Sequence, residues 1–531
     1  MAGFFEKAEV VQNNNENVSI TENGAIGYRS TGKALLDLNF SIPQMRYASE
    51  EEICIKWAKA YDENSRYAMR YLFFLRDVRE GLGERRIFRI IMNWMADNYP
   101  NETIKFVNSD LIPFYGRWDD LISLLDKPLL RPYIYNIILV ELISDKEAMD
   151  NNQPCSLLAK WLPSLTTSSK KSRKLARQIA KHIGMKETAY RKLVSSLRKY
   201  IDVTEVKMSD NRWNEIKYEA VPGRASMLYR NSFIKHDGER YREFISAVNS
   251  GKEKMNAKTV YPHELVYRMK DCCYSPIMND EIASIEAMWK NIPNTIPNGE
   301  STIVVRDGSG SMTRRIPNSM ASVLDVADAM SIYFAENLKG EFHNKIITFS
   351  MRPQFITFDE ECHNTLESKL KHLRKYTEVA NTNIEAVFDL ILQTAIEHNM
   401  DQSELPSNIL IISDMEFDQC VYTNNGPSGG INMITASRFN IHDFRPSNKL
   451  FDEFGKRYAE HGYKLPRIVF WNVGSTTGTI PMKENELGVA LVSGYSQNVA
   501  NMIMSNKTDP YECLIDQIMN SRYDMVETGV S

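Results

Sequence analysis

The segment Ile292-Pro293-Asn294-Thr295-Ile296-Pro297-Asn298-Gly299 divides the chain into halves with different hydrophobic periods. Its prolines and glycine end any helix that reaches them. Before it, from about residue 49 to 293, apolar residues recur at helical spacing. Glu50 to Glu63 carries Ile53, Trp57 and Ala60 on one face, and Glu84 to Asn98 carries Ile87, Ile90, Ile91 and Trp94. Further helices are expected near 118–126, 131–146, 172–183, 187–200, 239–249, 262–270 and 280–291, with Gly81, Pro113, Pro154, Pro163 and Gly184 among the breaks. After it, strands are expected at 301–306, 345–349, 408–412 and 467–471. They alternate with helices at 317–338, 362–373, 384–397 and 451–461, before closing helices at 498–504 and 512–521. The fold class is therefore α plus α/β. A HEAT-like helical repeat over 26–292 is followed by a doubly wound, mostly parallel sheet over 300–525. Residues 1–25, rich in Asn, are expected to form a flexible N-terminus, and the polar run at about 420–447 an insertion.

Charge and cysteine usage narrow the function. Residues 1–300 hold 44 Lys+Arg against 39 Asp+Glu, and residues 301–531 hold 20 against 29. A basic half joined to an acidic half predicts different partners for the two. The seven cysteines are scattered without a CxxC pair, as expected in a reducing compartment. No signal peptide or run of about 18 apolar residues is present, so a cytoplasmic protein without a membrane span is expected. The nine histidines are dispersed and no HExxH occurs, and no enzyme activity is expected. The Gly27-to-Lys33 spacing imitates a phosphate loop, but no apolar strand precedes it and Ala34 stands where Ser or Thr would hold magnesium.

The run Val304-Val305-Arg306-Asp307-Gly308-Ser309-Gly310-Ser311-Met312 reads as a buried strand opening into a polar loop. Asp307, Ser309 and Ser311 offer oxygens to a small ion, and the glycines permit a tight turn. Two other loops fall at comparable places. Thr382 precedes the 384–397 helix, where an isolated Thr is an ordinary cap, and Asp414 ends the 408–412 strand. Together the five give an all-oxygen set with two carboxylates, suited to Mg²⁺ or another divalent cation. Asp-x-Ser-x-Ser at a strand end, with the two later loops, strongly resembles the metal-ion-dependent adhesion site (MIDAS) of von Willebrand factor A domains. That resemblance implies Asp307, Ser309, Ser311, Thr382 and Asp414 as the metal set, open to an acidic group of a partner protein. Gly308 departs from the pattern, where an apolar residue is common.

The most basic stretch runs from Lys170 to Lys199, with Glu187 its only acid. Two amphipathic helices meet at Gly184 and turn Lys170, Lys171, Arg173, Lys174, Arg177, Lys181, Arg191 and Lys192 outward. Such a surface binds phosphates by charge and counterion release, although most cationic helix faces are merely solvated. The dense segments Phe74 to Arg86 and Tyr115 to Asp120 are expected to be structural, with charges that pair locally.

The order Leu75-Arg76-Asp77, Gly81-Leu82-Gly83-Glu84-Arg85, Tyr115-Gly116-Arg117-Trp118-Asp119, Ala159-Lys160-Trp161-Leu162-Pro163 and Tyr190-Arg191-Lys192-Leu193, then an A domain, resembles a family of uncharacterised bacterial and viral proteins. That family is similar in turn to the Ro ribonucleoprotein with its TROVE module. The resemblance implies helical repeats closed into a ring, with a basic surface that binds small structured or single-stranded RNA. It implies an RNA-binding scaffold. The alternative is a protein-interaction adaptor that uses the metal site and the helical solenoid without RNA.

Overall fold

The computed structural model describes residues 17–20, 26–272, 277–297, 301–350, 352–376, 384–415, 449–475, 480, 489–505, 507 and 509–528. They form two compact units, each discontinuous in sequence. One joins Met1–Tyr47, Pro262–Tyr267 and Asn294–Gln517, and the other joins Ala48–Tyr261, Arg268–Pro293 and Ile518–Ser531. The blocks 26–292 and 300–525 drawn from sequence are contiguous, whereas the compact units exchange the chain's ends. Among the described residues, no helix is long and apolar enough to cross a membrane.

In the first unit, β1 (Val18–Ile20) pairs antiparallel with β2 (Ile26–Tyr28), so an ordered strand lies inside the N-terminus expected to be flexible. A six-stranded mixed sheet follows, built from β3 (Thr302–Asp307), β4 (Lys345–Phe349), β5 (Phe355–Thr357), β6 (Asn408–Ser413), β7 (Arg467–Asn472) and β8 (Val489–Ser493). The order is β5-β4-β3-β6-β7-β8, parallel throughout except for antiparallel β5 at the edge. From β3 the chain builds outward to β4 and β5, then restarts at β6 on β3's other side. The crevice between the carboxyl ends of β3 and β6 is therefore the topological switch point, where open α/β sheets bind ligands.

Every residue of β3 and β6 is buried, as both faces of the sheet are covered. Ile303, Val305, Ile409 and Ile411 pack in one cluster with Phe388 and Phe454, whose rings stack 4.6 Å apart. On the opposite face the helix Val323–Asn337 sets Phe334 edge-on to Trp471 at 5.7 Å. Burying one such large apolar side chain contributes about 1.5–3 kcal/mol. The helix Ala34–Phe40 belongs here too: Phe40 enters the core cluster, and the buried Asn472 amide donates to its carbonyl at 2.9 Å.

The helix expected at 317–338 begins only at Val323. Ser322 and Asp325 form a capping box, and Arg314 to Ser322 is a tight turn with Asn318 in the left-handed region, φ 58°. The helix expected from residue 362 likewise starts at Leu366, capped by Thr365. The short β5 and the apolar run of β8 were not foreseen, because such segments carry no period that separates strand from helix. At 27–33, Asp37 accepts bonds from Ser30 Oγ at 2.5 Å and from Thr31 N and Oγ1 at 2.7 Å. These bonds tie the turn to the first helical residues after it.

In the second unit, helices pack as neighbours in sequence. The Glu50–Glu63 helix starts at a Ser49/Glu52 capping box and packs on Ser65–Arg76 and Arg85–Asn98. The helix at 239–249 is the second half of a longer one, Gly223–Asn249, kinked at Asp237. Asp237 leaves helical geometry and accepts from Tyr218 at 2.7 Å, so the apolar period breaks there. The charges between 74 and 86 pair at long range rather than locally. Arg76 meets Asp120 at 2.7 Å, both buried, and Asp77 meets Arg522 at 2.5 Å. Gly81 must be glycine, since a Cβ there would lie 2.0 Å from the Phe74 carbonyl.

The C-terminal residues close this unit. Arg70 is 1% exposed and donates to the carbonyls of Ile518 and Asn520 and to the carboxylates of Asp524 and Glu527, at 2.7–3.1 Å. Tyr115 Oη donates to the Arg522 carbonyl at 2.5 Å. Removing residues 518–531 takes all four acceptors from the Arg70 guanidinium, at a cost of about 3–5 kcal/mol. Chemical denaturation of the truncated chain is expected to show that loss. Arg70→Met, harmful in the full chain, is expected to recover part of the loss in the truncated one.

Candidate functional site

The parallel register Arg306↔Ile412 sets Asp307 beside Ser413 at the mouth of the crevice. Asp307 is fully buried. Its Oδ1 accepts the Ser309 N–H at 2.9 Å, and its Oδ2 accepts the Ser413 hydroxyl at 2.6 Å. The Ser309 and Ser311 hydroxyls stand 3.0 Å apart, and Gly310–Thr313 is a single 3-10 turn with Met312 buried beneath it. Asp414 follows directly, 1% exposed, and Arg314 Nη2 lies 3.3 Å from its Oδ2 while also donating to the Gly474 carbonyl. Met415 sits in the left-handed region at φ 63°, a strained conformation for a residue with a side chain, and its N–H donates to Ser413 Oγ at 3.1 Å. Thr382, with its neighbours Asn381 and Asn383, and the 420–447 insertion lie outside the described residues.

The structure thus brings Asp307, Ser309, Ser311 and Asp414 to one crevice. It adds residues that the sequence reading did not assign a role: Ser413, Arg314 and a buried pair underneath. Arg306, 1% exposed, donates from Nε and Nη2 to Asp328 of the Val323–Asn337 helix at 2.7 and 2.6 Å. A Cβ on Gly308 would lie 2.8 Å from Arg306 Nη1. The departure at Gly308 therefore has a physical cause, for the guanidinium below takes the space an apolar side chain would occupy. An arginine inside an otherwise apolar strand was the available signal.

The donor set fits a hard cation. All of its atoms are oxygens, two of the groups are acids, and the hydroxyl pair is preorganised by the turn. Among the described residues, no three His, Cys, Asp or Glu side chains converge as a cation site, so the hydroxyls are needed to complete one. Burial, and then the neighbouring Asp414 charge, push the Asp307 carboxyl up to about 6. A raised carboxyl means that the folded protein holds a proton the unfolded chain has released. Its contribution to metal-free stability is thus present at about pH 4 and lost as pH rises through 6. Asp307→Asn is expected to stabilise the metal-free fold at pH 8 relative to the wild type, by about 3 kcal/mol. Near pH 4 the difference should vanish. Thermal unfolding in chelator across that range decides the matter.

The basic helices lie elsewhere, in the helical unit. Lys170–His182 and Glu187–Tyr200 form as expected, the first capped by Ser169. Lys170, Lys171, Lys174, Arg177 and Lys181 are exposed along the first helix, while Ala176, Ile179 and Ala180 are buried. Arg177 faces Glu187 at 3.5 Å in an exposed pair of little energetic weight. Arg173 differs from its neighbours. Its Nη1 donates to the Thr167 and Ser168 carbonyls at 2.6 and 2.9 Å, so its role is to tie the preceding loop. Arg191 and Lys192 are exposed on the second helix, toward a cleft they share with Lys199 and Arg212. Of the histidines weighed in the sequence, His182 stacks on Tyr135 at 4.4 Å and His263 is buried against Tyr495.

Comparisons with known proteins follow this division. A family model described as a domain of unknown function, DUF7788, matches residues 301–525. An uncharacterized protein of Acanthamoeba polyphaga mimivirus is 27% identical over 525 residues, covering 92% of this chain and 85% of the viral protein. Among solved structures, the Ro (RSR) protein of Deinococcus radiodurans aligns with a TM-score of 0.43 at 13% identity, over 84% of this chain and 92% of that one. A second model, described as a domain of unknown function, DUF2828, matches residues 21–125 and 139–299, half of the chain, and the chain belongs to that family.

Proposed function

We propose that the protein is an RNA-binding scaffold of Ro type, in which a TROVE-like helical unit of HEAT-type repeats holds RNA by its phosphates. The observation that carries this is the exposed row Lys170, Lys171, Lys174, Arg177 and Lys181, backed by a buried apolar stripe and faced by a single acid. A helix can hold such a row against its own repulsion, and a polyanion relieves it by releasing counterions. The order of motifs, which resembles a family of uncharacterised proteins similar in turn to the Ro ribonucleoprotein, supports the same reading. Small structured or single-stranded RNA is the partner, the protein works in the cytoplasm, and no catalytic step is required of it.

On this reading the sheet unit is a von Willebrand factor A domain, and its crevice is an adhesion site. Asp307, Ser309, Ser311 and Asp414, with Thr382, would hold Mg²⁺ or another divalent cation. When bound, such a cation supplies an electrophilic position for a carboxylate of a partner protein. Arg314 steadies Asp414, and Ser413 orients Asp307. A second reading keeps the adhesion site and drops RNA, making the protein an adaptor. The crevice supports it, since two acids among hydroxyls leave a divalent cation with charge to spare for an acidic partner.

Reversal of Lys170, Lys171, Lys174 and Arg177 to Glu is the decisive test, with Arg173 left in place because it ties a loop. RNA affinity measured by fluorescence anisotropy is expected to fall at least roughly tenfold, with a salt slope shallower by about three. Unchanged affinity would remove the helical face from the reading. Sequencing of co-purified nucleic acid separates the two readings, because an adaptor carries none. Chelation or Asp307→Ala is expected to release an acidic protein partner and to leave RNA bound.

A further inference from the structure

The helical unit contains a cleft of about 1070 Å³ that the RNA-facing helix does not use. One wall is the Glu187–Tyr200 helix, which contributes Arg191, Lys192, Ser195 and Lys199. The loop residues Ser164 and Thr166 line it too, as does Arg212. None of the lysines of the Lys170–His182 helix lines it. The basic hairpin of the sequence therefore presents two separate cationic surfaces, one open and one recessed.

The charges in the cleft are unbalanced. Arg212 is held by Asp210 at 3.1 Å and Glu215 at 2.7 Å, which uses both acids of the lining. Among the described residues, no carboxylate pairs with Arg191, Lys192, Arg198 or Lys199. Arg198 is the telling member. Its guanidinium is half-buried and bonded only to neutral groups, the Ala159 carbonyl at 2.8 Å and the Leu162 carbonyl at 2.5 Å. Burial pulls its pKa below the usual arginine value, the mark of a desolvated cation lacking a counter-ion. The ring stock, by contrast, is spent. Tyr190 is buried with its hydroxyl on the Pro163 carbonyl at 3.0 Å, and nearby Trp213 is already stacked on His236 at 4.5 Å. Hydroxyls and cations without a free aromatic face suit phosphates and do not suit base stacking.

We propose that this cleft binds a ligand carrying several linked phosphates, held by Arg191, Lys192, Lys199 and the half-buried Arg198. Lys192 and Lys199 are seven residues apart on one helix face, about 10 Å along the axis, so a single phosphate does not span them. The shared chemistry has two possible sources: a small polyphosphate-bearing molecule, or the backbone of a nucleic acid. The assignment does not require the RNA reading above.

The test is calorimetric titration of the full chain with inorganic tripolyphosphate and, separately, with inorganic phosphate. Tripolyphosphate is expected to bind at least about tenfold more tightly than phosphate. The double variant Lys192→Gln, Lys199→Gln is expected to lose that preference, while Lys174→Gln, Lys181→Gln on the open helix keeps it. Both lysine pairs are exposed, so thermal unfolding should be unchanged in either variant. RNA titration of the cleft variant identifies the source. Loss of RNA binding, with competition by tripolyphosphate, assigns the nucleic-acid backbone. Retained RNA binding, or none in any variant, assigns the small ligand. Equal affinity for phosphate and tripolyphosphate, or equal weakening in both double variants, overturns the proposal.

Discussion

The parallel pairing of β3 with β6 is the constraint on which the crevice depends. It brings together two strand ends that are 106 residues apart and fixes the Asp307–Ser413 hydrogen bond. A slip of one residue by β3 would turn every one of its side chains to the other face, placing Arg306 against Ile409, Ile411 and Phe388. The buried Arg306–Asp328 pair resists that slip, because its charge has a partner on one face only. Such a pair adds little net stability over an apolar substitute, yet it strongly penalises arrangements that break it. The return is specificity of register, and Gly308 is part of its cost.

A second constraint acts on the chain as a whole. Its first helix completes the apolar core of the sheet unit, and its last residues satisfy a buried arginine of the helical unit. Neither unit is a contiguous segment, so each is finished only when distant parts of the sequence have arrived. Loop closure over such separations is entropically expensive, and the contacts that reward it are correspondingly dense: four acceptors converge on the Arg70 guanidinium alone. Domain boundaries drawn from composition miss this, because a linker rich in Pro and Gly marks where a period changes rather than where a folding unit ends.

What was legible in the sequence follows from which interactions are local. Helices with a strong apolar face, such as Glu187–Tyr200, and strands buried on both faces, such as β3 and β6, declare themselves through period and length. The convergence of Asp307 with Asp414 was legible through the rule that ligands sit at the carboxyl ends of strands. The Arg314 contact, the role of Ser413 and the strained Met415 were not, since each arises only when the strands are side by side. The helix start at Val323 was obscured by Pro317, which resembles a helix opener but sits in the preceding turn. In the basic hairpin, composition alone made Arg173 and Arg191 equivalent. The fold separates them, one bonded to its own loop and the other exposed on a cleft.

The two candidate surfaces are opposite in sign, and that bears on how one chain could use both. The crevice holds two acids against Arg314, with Arg306 and Asp328 cancelling beneath it. In that state it disfavours an acidic ligand. In the proposed reading, a divalent cation reverses the sign of the crevice, so cation and acidic ligand bind with positive coupling, and the coupling must be reciprocal. The helical row of Lys170, Lys171 and Lys174 needs no such conversion, because it already has the sign that attracts a polyanion. In that reading one surface is conditional on a metal and on the protonation of Asp307, while the other is conditional only on salt. Under the proposed function, that asymmetry would let one kind of partner be held constantly and another be admitted under control.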